Sequence, residues 1–329
     1  MTSLIGNDAA RAAFLTAMHG ASMHHAWLLA GPEGVGKGSF ARAAGAALLA
    51  EAAVPGTIGA GFDLPPDNPT RALIAAGSHP DFRLLERLPK DAAKPGENLA
   101  RSITIAQVRT LQAMFATTPS MSSRRVVLID AVDDLERSGA NALLKSLEEP
   151  PAGTIFLLVS HAPGRLLPTI RSRCRLLRFE PLPREAMTAL LREALPQAGD
   201  DEIAALIAAG QGSPGRALGY AGLEMAALDH ALATIAERGD PTNAERSRLA
   251  QALALKAAQP RYEAFLDRTP SFVAAEAARR EGDRLRTALD AHDAARNLAA
   301  SARALSLDAQ ATVFEMAGIV ARLATPSPR

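Results

Sequence analysis

Residues 31–38, Gly-Pro-Glu-Gly-Val-Gly-Lys-Gly, nearly satisfy the pattern G-x-x-x-x-G-K-[ST]. In such a loop Gly31, Gly34 and Gly36 let backbone N–H groups turn inward around phosphate oxygens. The following helix points its positive end at them, and the Lys37 ammonium reaches the outer phosphates. The last position departs from the pattern. Gly38 stands where a hydroxyl would hold Mg²⁺. Ser39 comes one residue late, and one step along a helix turns a side chain by about 100°, which makes it a poor substitute. Asp130 ends an apolar run, where a carboxylate can hold a metal through water. The next position, where a hydrolase needs a water-activating glutamate, is Ala131, and Asp133 and Asp134 lie too far along to stay at the strand edge. Each missing aid typically supplies roughly 10²–10⁴ in rate. The expectation is weak ATP or ADP binding through the backbone cradle and Lys37, no required cofactor and no efficient hydrolysis.

Further polar candidates lie downstream. Ser160 or His161 closes the run TIFLLVS, either as a contact to an outer phosphate or as an ordinary strand-end residue. Arg173 stands between Ser172 and Cys174, with Arg171, Arg175 and Arg178 nearby. This run reads as a solvated basic face or as contacts to DNA phosphates. Arg216 lies in GSPGRAL. Cys174 is the only cysteine, so no intrachain disulfide and no multi-cysteine zinc site can form, and it reads as a small packed residue. His24 and His25 have no metal-ligand companions and read as packing or rim residues. No metal site is expected. The formal net charge of +1 does not mark a nucleic-acid binder, so any DNA contact needs a local patch. The first residues show no secretion signal, and no apolar run reaches the roughly 18–20 residues of a membrane span. A cytoplasmic protein is expected.

The elements that must position these residues follow from patterning. Residues 25–30 (HAWLLA) form a buried strand ending at the glycine loop, and 37–53 form a helix. Residues 7–19 read as a helix with Asn7 as N-cap. Residues 54–78, rich in Pro and Gly, read as a loop, as do 88–101. Residues 79–86, 124–130, 154–160 and 173–180 read as strands, and 103–119 and 138–151 as helices. Strands alternating with helices predict an α/β class with a parallel sheet covered on both faces. After residue 182 only helices are expected, over 183–195, 200–210 and 214–226 and then to the end, with breaks at Gly239–Pro241 and Gln259–Pro260. Val313, Met316, Val320 and Leu323 mark the apolar face of the last helix, with Ser306 or Asp308 as its start.

Several segments in order resemble the clamp-loader branch of AAA+ proteins: HHAWLLAGPEGVGKG (24–38), HPDF (79–82), VVLIDAVDDLERSGANALLKSLEEPP (126–151), LPTIRSRC (167–174) and GSPGRAL (212–218). The likeness spans about residues 1–220. Within that branch the chain is most similar to the delta-prime family of the bacterial DNA polymerase III holoenzyme, whose members are hydrolysis-deficient stators of a ring. The resemblance implies an AAA+ P-loop parallel-sheet module over 1–165, a small helical lid over 166–220 and an all-α collar over 221–329. It implies gamma or tau motor subunits and a delta subunit as ring partners, with the sliding clamp and primer–template DNA engaged by the assembly. It also implies that Arg173 reaches across an interface, as an arginine finger, to ATP held by a neighbour. The family's second sensor arginine aligns with Gly215, with Arg216 displaced by one. Many clamp loaders carry four zinc-binding cysteines after the loop helix; the matching stretch 51–77 has none, so no zinc is expected. A hydrolysis-competent gamma or tau motor is the alternative, and Gly38 and Ala131 stand against it. A small-molecule kinase is a second alternative, opposed by the ANALLK-LEEPP block and the Ser172–Cys174 motif.

Overall fold

The computed structural model describes residues 5–20, 22–59, 61–91 and 99–324. They divide into two compact units, 1–186 and 187–329. The first unit contains α1 (Asp8–His19), β1 (Ala26–Ala30), α2 (Lys37–Ala53), α3 (Pro69–Ala75), β2 (Phe82–Glu86), α4 (Ile105–Phe115), β3 (Arg125–Asp130), α5 (Arg137–Glu148), β4 (Thr154–Ser160), α6 (Pro168–Arg171) and β5 (Arg175–Arg178). The division falls within α7 (Arg184–Ala194).

The five strands form one parallel sheet in the order β2-β3-β4-β1-β5. Strands covered on both faces have no solvent side to fill with polar residues, which is why β1, β3 and β4 are near-continuous apolar runs. Alternate residues go to opposite cores. Trp27, Leu29, Val126, Leu128, Leu157 and Val159 pack with α1 and α2 around Phe14 and Phe40. Ala26, Leu28, Val127, Ile129, Phe156 and Leu158 pack with α4 and α5 around Leu111 and Leu143. Small residues let α2 lie close to the sheet: a Cβ at Gly45 would come within 3.0 Å of the Phe82 ring. The HPDF segment is a structural tie. The buried Asp81 accepts the backbone N–H groups of Ser120 and Met121, both at 2.7 Å, and fixes the turn before β3.

Some expectations need correction. Residues 54–78 are not all loop, because α3 forms there. Asn68 caps it by accepting from Thr70 N at 3.0 Å, and Pro69 starts the helix. The loop expected over 88–101 lies partly outside the described residues. Asn7 sits at the N-cap of α1 but does not cap it; its side chain instead pairs with the backbone of Glu180, at 2.7 and 3.1 Å. The boundary expected at 165 would cut β5 from the sheet, whereas β5 pairs with β1 in register and the first unit runs to Ala186.

In the second unit follow α8 (Asp200–Gly210), α9 (Pro214–Gly219), α10 (Met225–Arg238), α11 (Ala244–Leu253), α12 (Gln259–Ala277), α13 (Gly282–Leu305) and α14 (Ala309–Ala321). The single helix expected over 214–226 is two: α9 stops at Gly219, and a turn with Gly222 at φ +78° precedes α10. Across the boundary expected at 220, α8 packs on α10 within this unit. The break expected at Gly239–Pro241 follows Arg238, whereas Gln259 and Pro260 open α12 and the interruption lies before them, after Leu253. Val313, Met316, Val320 and Leu323 are all buried. Asp308, rather than Ser306, starts α14, accepting from Ala311 N at 2.8 Å.

Candidate functional site

The glycine loop joins the end of β1 to the start of α2. Gly31 N–H donates to Ser160 O at 3.3 Å, and a Cβ on Gly31 would lie 2.2 Å from Phe179 O, so only glycine fits. Gly36 has φ +104°, which turns the chain into the first turn of α2. Lys37 is buried, and its Nζ donates to Gly31 O at 2.7 Å and Pro32 O at 2.5 Å. Burial lowers its pKa to about 8, against the opposing pull of Asp130, Asp133 and Glu33. The loop therefore holds a desolvated ammonium whose hydrogen bonds go to neutral carbonyls. Such a group fits an arriving phosphate, which would offer it a charged acceptor. Ser39 is exposed.

The carboxylate of Asp130 is already paired. Arg42, one turn beyond Gly38 on α2, places Nη1 3.2 Å from Asp130 Oδ2 and Nη2 3.0 Å from Glu86 Oε2. Glu86 ends β2 directly beside Asp130 in the β2–β3 register. A Cβ at Gly38 would approach Asp130 Oδ2 to 2.5 Å. Ala131 is buried and carries no base. These residues do not fit a magnesium ion of the kind phosphate-loop hydrolases use: the hydroxyl is missing and the carboxylate faces a guanidinium.

Asp133 lies past the end of β3, as expected, in the turn Val132–Asp134, but its side chain reaches back to the end of β4. It accepts from Ser160 Oγ at 2.8 Å and from the backbone N–H of His161 at 2.5 Å. Ser160 is fully buried, so its hydroxyl ties β4 to the turn after β3. In the second unit, Arg216 Nε donates to Tyr220 Oη at 3.2 Å, and that hydroxyl donates to Asp267 at 3.1 Å. Burial pushes the Tyr220 pKa up.

Arg173 follows α6. Its Nη1 donates to Thr169 O at 2.9 Å, and its Nη2 lies 2.7 Å from Glu148 Oε1 at the end of α5. Arg171, Arg175 and Arg178 are exposed on the same segment. Cys174 packs against the α4–α5 core, and burial pushes its thiol up to about 12, so it is not a thiolate near neutral pH. His24 and His25 stack with ring centroids 4.6 Å apart, and His25 Nε2 lies 3.1 Å from Leu147 O, a packing arrangement. Among the described residues no group of three or more His, Cys, Asp or Glu side chains could hold a metal ion. No helix among them is long and apolar enough to cross a membrane.

Sequence reasoning missed Arg42, Glu86 and Glu148, and set Asp133 aside. Arg42 left a signal, since a residue four beyond Gly38 shares its helix face. Glu86 left one too, as a second carboxylate ending an apolar strand. Which strands become neighbours was not readable.

The family model described as DNA polymerase III, delta subunit, matches residues 6–183, more than half of the chain. DNA polymerase III subunit delta' of Pseudomonas aeruginosa is 41% identical over 191 residues, covering 58% of this chain and 53% of that protein. The Escherichia coli subunit delta' is 38% identical over 147 residues, covering 44% and 41%. Subunit gamma/tau of Mycobacterium tuberculosis is 33% identical over 219 residues, covering 64% and 34%. A crystal structure of a DNA polymerase III gamma subunit-related protein from Thermotoga maritima aligns over 95% of this chain and 98% of that one, with a TM-score of 0.45 at 16% identity. The match spans about half the length of these delta' relatives or less. With the glycine loop, the parallel sheet and the Ser172–Cys174 corner all inside the matched span, the chain belongs to the DNA polymerase III delta-subunit family, among relatives that are delta-prime subunits.

Proposed function

We propose that this chain is a clamp-loader subunit in DNA replication that does not hydrolyse ATP itself. It assembles in a hetero-oligomeric ring with gamma or tau motor subunits and a delta subunit, and the ring places the sliding clamp on primed DNA. The observation that carries this reading is the state of the hydrolytic positions. Gly38 has no hydroxyl, Ala131 has no base, and Asp130 is paired with Arg42. The cradle and Lys37 remain, so ATP or ADP binding without turnover is expected. Arg173 supplies the catalytic contribution in trans, as an arginine finger to a neighbour's ATP. Its support is the segment that presents it: the turn after α6, with one exposed carboxylate as its charged partner. No zinc is required.

The alternative, a hydrolysis-competent motor of the gamma or tau type, is weighed by the 33% identity to gamma/tau over 219 residues. Gly38 and Ala131 count against it. ATP turnover by the purified chain decides between them. No phosphate release is expected above background, whereas turnover near one per second, an ordinary enzymatic rate of about 1–10³ s⁻¹, would overturn the stator reading.

A further inference from the structure

Gly38 and Arg42 share one face of α2, four residues apart. Between them and the strand ends lies a small charge cluster. Asp130 and Glu86 end adjacent strands in register, and the Arg42 guanidinium bridges both carboxylates, at 3.2 and 3.0 Å. A Cβ at position 38 would lie 3.2 Å from Arg42 Nη1 and 2.5 Å from Asp130 Oδ2. A magnesium ion bound at about 2.0–2.1 Å to a hydroxyl oxygen sits about 3 Å from the carbon bearing that oxygen. The guanidinium nitrogen thus stands at the distance the ion would take, facing the same carboxylate and the same backbone position.

Two features that look like separate losses are then one arrangement. Glycine at 38 leaves room for the Asp130 carboxylate and the guanidinium, which any Cβ would crowd. Arg42 supplies a positive charge that cannot be chelated away or lost by deprotonation. We propose that Arg42 is the resident cation of this loop, taking the place of a divalent ion, so that a nucleoside di- or triphosphate binds here in its metal-free form. This rests on the reading of the glycine loop as a phosphate cradle. Arg42 offsets one of the two negative charges of Asp130 and Glu86, which weakens their repulsion of the phosphate, and Lys37 meets the phosphate directly. A divalent ion entering here would have to displace a guanidinium held by two carboxylates and would find no hydroxyl ligand.

The test is calorimetric titration of ADP into the full chain, once with EDTA and once with Mg²⁺. The dissociation constant is expected to agree within about twofold between the two buffers. Arg42→Met, checked for an unchanged circular dichroism spectrum, is expected to weaken ADP binding in EDTA by about tenfold or more. Gly38→Thr combined with Arg42→Ala is expected to make binding stronger with Mg²⁺ than without. Wild-type binding that tightens about tenfold on adding Mg²⁺ would overturn the proposal, as would an Arg42→Met affinity unchanged in EDTA. Absence of ADP binding in both buffers would also overturn it while leaving the non-hydrolysing reading intact. ATP turnover by the wild type would break that reading instead, and the ADP comparison would still decide the role of Arg42. If Arg42→Met does not fold, the wild-type comparison decides alone.

Discussion

The glycine loop and the Ser172–Cys174 corner each present an arginine beside a carboxylate, and they differ in how that charge is balanced. Arg42 bridges two carboxylates, Asp130 and Glu86, on adjacent strand ends. Arg173 has one, Glu148, with its own turn's carbonyl as a further acceptor. Exposure does not separate them, since the side chains are 40% and 33% exposed. Partner number and burial do: Asp130 is 20% exposed and Glu148 is 47%. Moving Arg42 would strand two carboxylates, one of them largely desolvated, which is costly. Moving Arg173 gives up one exposed pair, a change of about 0–1 kcal/mol. A motif can therefore persist as a closed, multiply paired arrangement in one place and as a loosely held, transferable charge in another.

The largest expected effect tests the open side of this contrast. Arg173→Ala should lower ATP turnover at the one neighbouring motor site it serves in a reconstituted loader by about 10³-fold or more, within the range of arginine fingers, with assembly unchanged by size-exclusion chromatography. An unaltered rate would remove the proposed role. On the closed side, Asp133→Ala leaves the buried Ser160 hydroxyl and the His161 N–H without their acceptor. It should destabilise the first unit by about 2–3 kcal/mol in denaturant unfolding. A loss below about 0.5 kcal/mol would mean that Asp133 does not hold β4.

Lys37 sharpens the same point through pH. Its folded pKa is about 8, below the 10.5 usual for a lysine. Between these values the unfolded chain binds the proton and the folded chain does not, so stability rises with pH across that window. Below about pH 8 both forms are protonated and the full cost of the buried ammonium is present. Lys37→Met should therefore raise stability at pH 7 by about 1–3 kcal/mol, and the advantage should shrink between pH 8 and 10.5. A pH-independent difference would refute the assignment. The smallest effect is expected for Glu148→Gln, a change in unfolding free energy within about 0.5 kcal/mol, as for exposed ion pairs. A loss above about 2 kcal/mol would make the Arg173 corner as closed as the loop.

The loop helix was legible to the residue, because strand, glycines and alanine-rich helix give separate local signals; α2 spans 37–53 as read. The apolar spacing Ile105, Val108, Leu111 and Met114 marks the α4 face; the last three are buried and Ile105 is half-buried. The turn at 220–224 was misread because apolar spacing continues across it, while Gly222 and Glu224, both at positive φ, interrupt the backbone. Asn7 was misread because its cap residue type was right while its side chain found a partner 173 positions away.

By itself the sequence determined what is missing. Gly38 and Ala131 carry no hydroxyl and no base wherever the chain places them, and one cysteine cannot build a four-cysteine zinc site. It also determined the two-faced strands and the helices that cover them, since burial on both sides requires continuous apolar runs. Only the tertiary structure decided what stands in the gap. The order β2-β3-β4-β1-β5 sets Glu86 beside Asp130 and brings both to the face of α2 that carries Arg42. Pairing between residues separated by 44 and 88 positions depends on which strands become neighbours, and packing of the whole sheet, not local spacing, sets that choice.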